Sequence, residues 1–129
     1  MRNNYFDEYK IHLTVEGELV QSKSEAIIAN ALYYNSIKYV YEQPLTLGNK
    51  TILPDFTIKD PDTGDVWYWE HCGMMSDKEY VERWRRKERL YAEYGITQDT
   101  NLIVTEEYHG EGLNTQKIDA IVKEKFMLL

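Results

Sequence analysis

With 129 residues, 43% of them hydrophobic and 29% charged, the chain has the length and composition of one ordinary globular domain. A net charge of −7, from 22 acidic and 15 basic residues, excludes a protein that wraps nucleic acid by bulk positive charge. It does not exclude a site where carboxylates hold divalent cations, because those cations reverse the local sign. No apolar run approaches the roughly 20 residues of a membrane helix, and the N-terminal stretch has no apolar signal core. The single cysteine, Cys72, forbids an internal disulfide, so a cytoplasmic protein is expected.

Residues 1–20 are polar with scattered apolar positions and read as an extension, with a short strand around Ile11 to Val15. The spacing of Ile27, Ile28, Ala31 and Leu32 predicts a helix from Lys23 to Asn35, opened by Ser22 and Glu25 at capping-box spacing. Tyr39 to Leu45 is aromatic and β-branched and reads as a strand, and Gly48-Asn49 as a turn. Ile52 to Ile58 and Val66 to His71 read as two strands of a hairpin, joined by the turn residues Asp60-Pro61-Asp62-Thr63-Gly64-Asp65. A long helix from Asp77 to Tyr94 stops at Gly95. Asn101 to Thr105 is a short strand with an apolar centre. The last helix, Thr115 to Met127, gathers Ile118, Ile121, Val122 and Phe126 on one face. Helix, three strands, helix, strand, helix is the order of an α/β domain with a mixed central sheet flanked by helices.

The hairpin carries the most informative arithmetic. An even loop centred between Asp62 and Thr63 pairs residues whose numbers add to 125, which sets Asp55 opposite Glu70. Two like charges so placed repel unless a shared proton or a divalent cation offsets them. Asp55 lies in the apolar stretch Leu-Pro-Asp-Phe, and Glu70 follows Trp-Tyr-Trp, so a merely solvated pair is the weaker reading.

Glu25 has two readings, a cap for the first helix or a third carboxylate on its buried face. On the long helix Tyr80, Trp84, Lys87 and Tyr91 follow at spacings of 4, 3 and 4 and share a face. Lys87 either lays its stem along the rings or aims its ammonium at the carboxylates. Between positions 78 and 89 the helix carries Lys78, Arg83, Arg85, Arg86, Lys87 and Arg89 against Glu79, Glu82 and Glu88. That local excess is either a solvated face with its own ion pairs or a phosphate-facing stripe. His71, Cys72 and His109 lack the paired spacing of a zinc site. By alternation the His71 side chain points away from that of Glu70.

These residues together resemble the PD-(D/E)XK nuclease superfamily, the restriction-endonuclease-like fold, over residues 22–106. The pieces are Glu25 in the first helix, Pro54-Asp55 opening a core strand and Glu70 on the next, in the αβββαβ order, with an extra C-terminal helix. Ser-Lys-Ser-Glu, Tyr-Glu-Gln-Pro-Leu, Pro-Asp-Phe and Tyr-Trp-Glu-His-Cys-Gly are similar to a bacterial and phage-associated branch whose members often accompany helicases.

The resemblance implies a metal-dependent deoxyribonuclease using Mg²⁺ or Mn²⁺, with Glu25, Asp55, Glu70 and Lys87 as catalytic residues. It implies Asp55, Glu70 and the His71 carbonyl as metal ligands. It implies DNA as partner, with a helicase or other subunit and a homodimer as further expectations. One departure is that Cys72 stands where the family keeps a lysine. Some members supply that lysine from the following helix, where Lys87 is the candidate; Lys87 and Tyr91 match the spacing of a Gln-xxx-Tyr motif in RecB-like nucleases. The alternative the departure carries is a catalytically weak or inactive nucleic-acid or protein-binding module on the same fold.

Overall fold

The computed structural model describes residues 12–109 and 111–127. The sequence leads to the expectation of a single domain over residues 1–129. The Cα positions gather the chain into two units, one from the described residues before Lys38 and those from Leu113 onward, the other from Lys38–Gly112.

In the first unit β1 (His12–Leu13) and β2 (Leu19–Val20) form a small antiparallel hairpin. Ile11, placed in the predicted strand, lies outside the described residues. Helix α1 (Lys23–Tyr34) starts where the sequence places it, because the Ser22 hydroxyl accepts the Glu25 N–H at 3.0 Å. It buries Ala26, Ile28, Ala29 and Leu32. Helix α3 (Thr115–Phe126) packs against α1 through Ile118 and Val122, and Asn35 Nδ2 donates to Asp119 Oδ1 at 2.8 Å.

The second unit holds a four-stranded mixed sheet in the order β3 (Val40–Tyr41), β6 (Phe56–Lys59), β7 (Val66–Cys72), β8 (Leu102–Glu106). The first three strands are mutually antiparallel, and β8 joins β7 in parallel. That parallel step is what the α2 (Lys78–Glu93) crossover permits. Beside this sheet β4 (Leu45–Leu47) and β5 (Lys50–Ile52) make a separate hairpin around Gly48, whose φ of 63° suits its turn.

The turn chemistry fixes the β6–β7 register. Asp60 Oδ1 accepts from the N–H groups of Asp62 and Thr63 at 2.8 and 3.2 Å, Gly64 takes φ 79°, and Asp60 N–H closes on Asp65 O at 2.8 Å. The resulting partners, Phe56 with Trp69 and Ile58 with Trp67, are those of the even loop.

Two strands differ from the sequence expectation. The stretch from Tyr39 to Leu45 breaks after Tyr41, because Glu42 adopts φ 52° and turns the chain out of the sheet. The stretch from Ile52 to Ile58 breaks at Leu53-Pro54-Asp55, because a proline has no N–H for the ladder and biases the residue before it.

Helix α2 covers one face of the sheet. Trp84 and Tyr91 from its apolar stripe join Leu47, Cys72, Met75, Ile96 and Leu102 in one core. Its end is a Schellman cap: Ile96 N–H bonds Tyr91 O at 3.0 Å, Gly95 N–H bonds Ala92 O at 3.1 Å, and Gly95 takes φ 76°. Among the described residues no helix is long and apolar enough to cross a membrane.

Candidate active site

Continuing the β6–β7 register by one step sets Asp55 across from Glu70, where the backbone has already left the ladder. Side chains replace the missing ladder bonds. His71 N–H donates to Asp55 Oδ2 at 2.6 Å, and the Asp55 N–H bonds the Glu70 carboxylate. The Asp55 carbonyl is taken by Glu42 N–H at 3.0 Å, so the left-handed turn at buried Glu42 holds the same residue from the other side. The next pair in register is Pro54 with His71, and proline offers the His71 carbonyl no N–H.

Glu70 is only 4% exposed. Its Oε2 accepts from Lys87 Nζ at 2.7 Å and from the Tyr91 hydroxyl at 2.5 Å. Lys87 Nζ also donates to Leu53 O at 3.1 Å, a carbonyl that the strand break leaves to it. The ammonium therefore aims at the carboxylate rather than running along the rings. Burial raises the Glu70 carboxyl above the usual carboxylate range, and Lys87, then Tyr91 and the Asp55 N–H, pull it back. Burial, and then the Glu70 charge, push the Tyr91 phenol up, so Tyr91 stays a donor to Glu70.

Cys72 follows Glu70 by two positions and shares its face. It is 2% exposed within the α2 core, and burial, then the Glu70 and Asp55 charges, raise its thiol. A lysine here would enter packed apolar surroundings, whereas Lys87 approaches Glu70 with 28% of its side chain open to solvent. On the open side of α2, Arg85 pairs with Glu88 at 3.0 Å, and Arg83 lies 5.8 Å over the Tyr80 ring. Arg83, Arg86 and Arg89 make no ion pair among the described residues.

The His71 ring occupies the opposite face, as alternation predicts. Its Nδ1 meets Thr105 Oγ1 at 2.8 Å, its Nε2 meets Glu107 Oε1 at 2.6 Å, and Trp69 Nε1 donates to the same Thr105 oxygen at 3.1 Å. Burial lowers the His71 pKa and Glu107 raises it in opposition. With both ring nitrogens engaged by oxygen partners the imidazole is a structural partner, and His109 is held elsewhere, its N–H on Ser76 Oγ at 2.7 Å. Among the described residues no group of three or more His, Cys, Asp or Glu could hold a metal ion.

The structure thus brings together Asp55, Glu70, Lys87 and the His71 backbone. Glu25 lies in the α1 unit, half-buried in the helix's first turn, with its N–H capped by Ser22. Sequence reasoning did not assign Glu42, Thr105 or Glu107 to this region. Pro54 was a signal for freed carbonyls, but partners across a parallel pair leave no local pattern.

An alignment of 88 positions that covers 65% of this chain is 33% identical to part of an uncharacterized protein of Methanocaldococcus jannaschii. The chain spans 7% of the length of that relative. No family model matches the chain, and no solved structure matches it significantly.

Proposed function

We propose that the protein is a divalent-metal-dependent deoxyribonuclease with the restriction-endonuclease-like core of the PD-(D/E)XK superfamily. The carrying observation is the Lys87 ammonium 2.7 Å from Glu70 Oε2, on a strand whose register sets Asp55 across from Glu70. A lysine from the following helix stands in for the one that Cys72 replaces. The order α1, β3, β6, β7, α2, β8 supports the same reading, with β4–β5 as an inserted hairpin.

The donor set fits a hard cation. Asp55, Glu70 and the His71 carbonyl offer oxygen only, and Mg²⁺ is ordinarily held by one or two carboxylates while keeping several waters. A cation held there supplies electrophilic stabilisation of the phosphate and a more acidic water. An ammonium has three donors, of which Lys87 spends two, on Glu70 and on Leu53 O. The third orients the attacking water or a non-bridging phosphate oxygen. Arg83 and Arg86 lie beside Lys87 on the solvent side of α2 and contact the neighbouring phosphates.

The test is cleavage of supercoiled plasmid and of single-stranded DNA by the full chain with Mg²⁺ or Mn²⁺. Metal-dependent products that vanish with Asp55→Asn and with Glu70→Gln support the reading; equal cleavage by either variant overturns it. A second reading, a binding module without catalysis, is favoured by the engagement of Glu70 Oε2 by both Lys87 and Tyr91. DNA retention without products, and no stabilisation by Mn²⁺, would select it.

A further inference from the structure

Among the buried polar groups that the proposed chemistry leaves unused is the His71 ring, with its partners on and just past β8. We propose that Thr105 and Glu107 are positioning residues that act through His71 to fix the carboxylate of Asp55. The inference rests on the nuclease reading only for its consequence; its geometry stands alone.

His71 links the two faces of the site. Its backbone N–H, on the β6 side, holds Asp55 Oδ2 at 2.6 Å, and its ring is gripped at both nitrogens from the β8 side. Asp55 needs such a hold because the chain at Leu53-Pro54-Asp55 has no ladder bonds of its own. The grip is itself anchored. Thr105 is the in-register partner of His71 across the parallel pair. Glu107 is pinned at both backbone groups, its N–H on Cys72 O at 2.8 Å and its carbonyl accepting Met75 N–H at 3.0 Å.

The Glu107 carboxylate can only accept, so His71 Nε2 carries a hydrogen, and in the neutral ring Nδ1 is then the acceptor. Trp69 Nε1 can only donate, so it gives its hydrogen to Thr105 Oγ1, and the threonine hydroxyl is free to donate to His71 Nδ1. His71 Nε2–H then donates to Glu107 Oε1. Trp69 Nε1, Thr105 Oγ1, both His71 ring nitrogens and Glu107 Oε1 are each paired in this arrangement, which holds the imidazole as its Nε2–H tautomer. A ring held at both ends cannot rotate, and together with the His71–Thr105 pairing it steadies the Cα whose backbone N–H meets Asp55.

The experiment uses ¹H–¹⁵N spectra of the full chain beside Mn²⁺ titration of wild type and variants. In wild type the His71 amide proton should lie well downfield, as expected for a short bond to a carboxylate, and should move upfield in Asp55→Asn. Ring ¹⁵N shifts should report the Nε2–H tautomer. Thr105→Val and Glu107→Ala should move the amide upfield and weaken Mn²⁺ binding about 10- to 100-fold, as loss of outer supports does. Thr105→Ser and Glu107→Gln keep the hydroxyl and the acceptor oxygen, and should restore both readouts.

An unmoved amide in folded Glu107→Ala, or the Nδ1–H tautomer in wild type, would overturn the proposal. The wild-type tautomer and the Glu107 variants decide the matter even if Thr105→Val fails to fold. If wild type binds no Mn²⁺ or cleaves nothing, the nuclease reading falls, while the amide shifts still judge the positioning role.

Discussion

Lys87 reaches Glu70 from the neighbouring helix and ties it to Leu53, so one ammonium joins the buried carboxylate to the broken strand that carries Asp55. Breaking a buried ion pair usually costs about 3–5 kcal/mol, and the partial exposure of Lys87 reduces this to about 2 kcal/mol at neutral pH. In Lys87→Met the Glu70 carboxyl moves further up. The folded state then keeps a proton that the unfolded chain has released, so stability falls as pH rises through the folded value. Urea unfolding at pH 5 and pH 8 should show the larger deficit at pH 8, and equal deficits would contradict this account.

Removal of either carboxylate should separate metal binding from folding. Mn²⁺ should raise the melting temperature of wild type by mass action, by an amount that grows with its concentration. Asp55→Asn and Glu70→Gln should fold, show no such rise and lose cleavage. Thermal scans over a Mn²⁺ series check this directly.

Tyr91→Phe removes one donor from Glu70 without changing the ring. A hydrogen bond to a charged group contributes about 1.5–3 kcal/mol, so chemical unfolding should show a loss in that range. The Glu70 carboxyl rises with it, because a bond that favoured its charged form is gone. The deficit should therefore grow as pH is raised; a loss that shrinks instead would argue that Tyr91 and Glu70 are not partners.

The α2 arginines that make no ion pair among the described residues should govern salt dependence. If Arg83 and Arg86 each contact one phosphate, Arg83→Ala and Arg86→Ala each lower the slope of log affinity against log salt by about 1, at all sequences alike. Arg85→Ala should change it less, because Arg85 is already held by Glu88. Binding titrations at several salt concentrations measure the three slopes.

The buried thiol of Cys72 should be inert. With its pKa raised by burial and then by the nearby carboxylates of Glu70, Asp55 and Glu106, it carries almost no thiolate at neutral pH. Iodoacetamide should label it only in denaturant.

What could be read from the sequence was what local chemistry fixes. Asp60 and Gly64 fix the loop length, the loop length fixes the register, and the register sets Asp55 opposite Glu70. Helical spacing likewise placed Lys87 and Tyr91 on one face, and both reach Glu70. The break at Glu42 was hidden because a left-handed glutamate has no sequence signature. The partnership of His71 with Thr105 and Glu107 was hidden because a parallel pairing across a crossover helix joins residues 34 and 36 positions apart in the chain.

The break at Leu53-Pro54-Asp55 also divides the site by local stability. Glu70 sits in β7, a central strand, and pairs in register with Val104 of β8. Asp55 sits past the end of β6, held by the His71 and Glu42 N–H groups in place of ladder bonds to β7. One carboxylate is thus built into a paired strand and the other into a seam beside it, so local opening at the seam would reach Asp55 before the strand that carries Glu70.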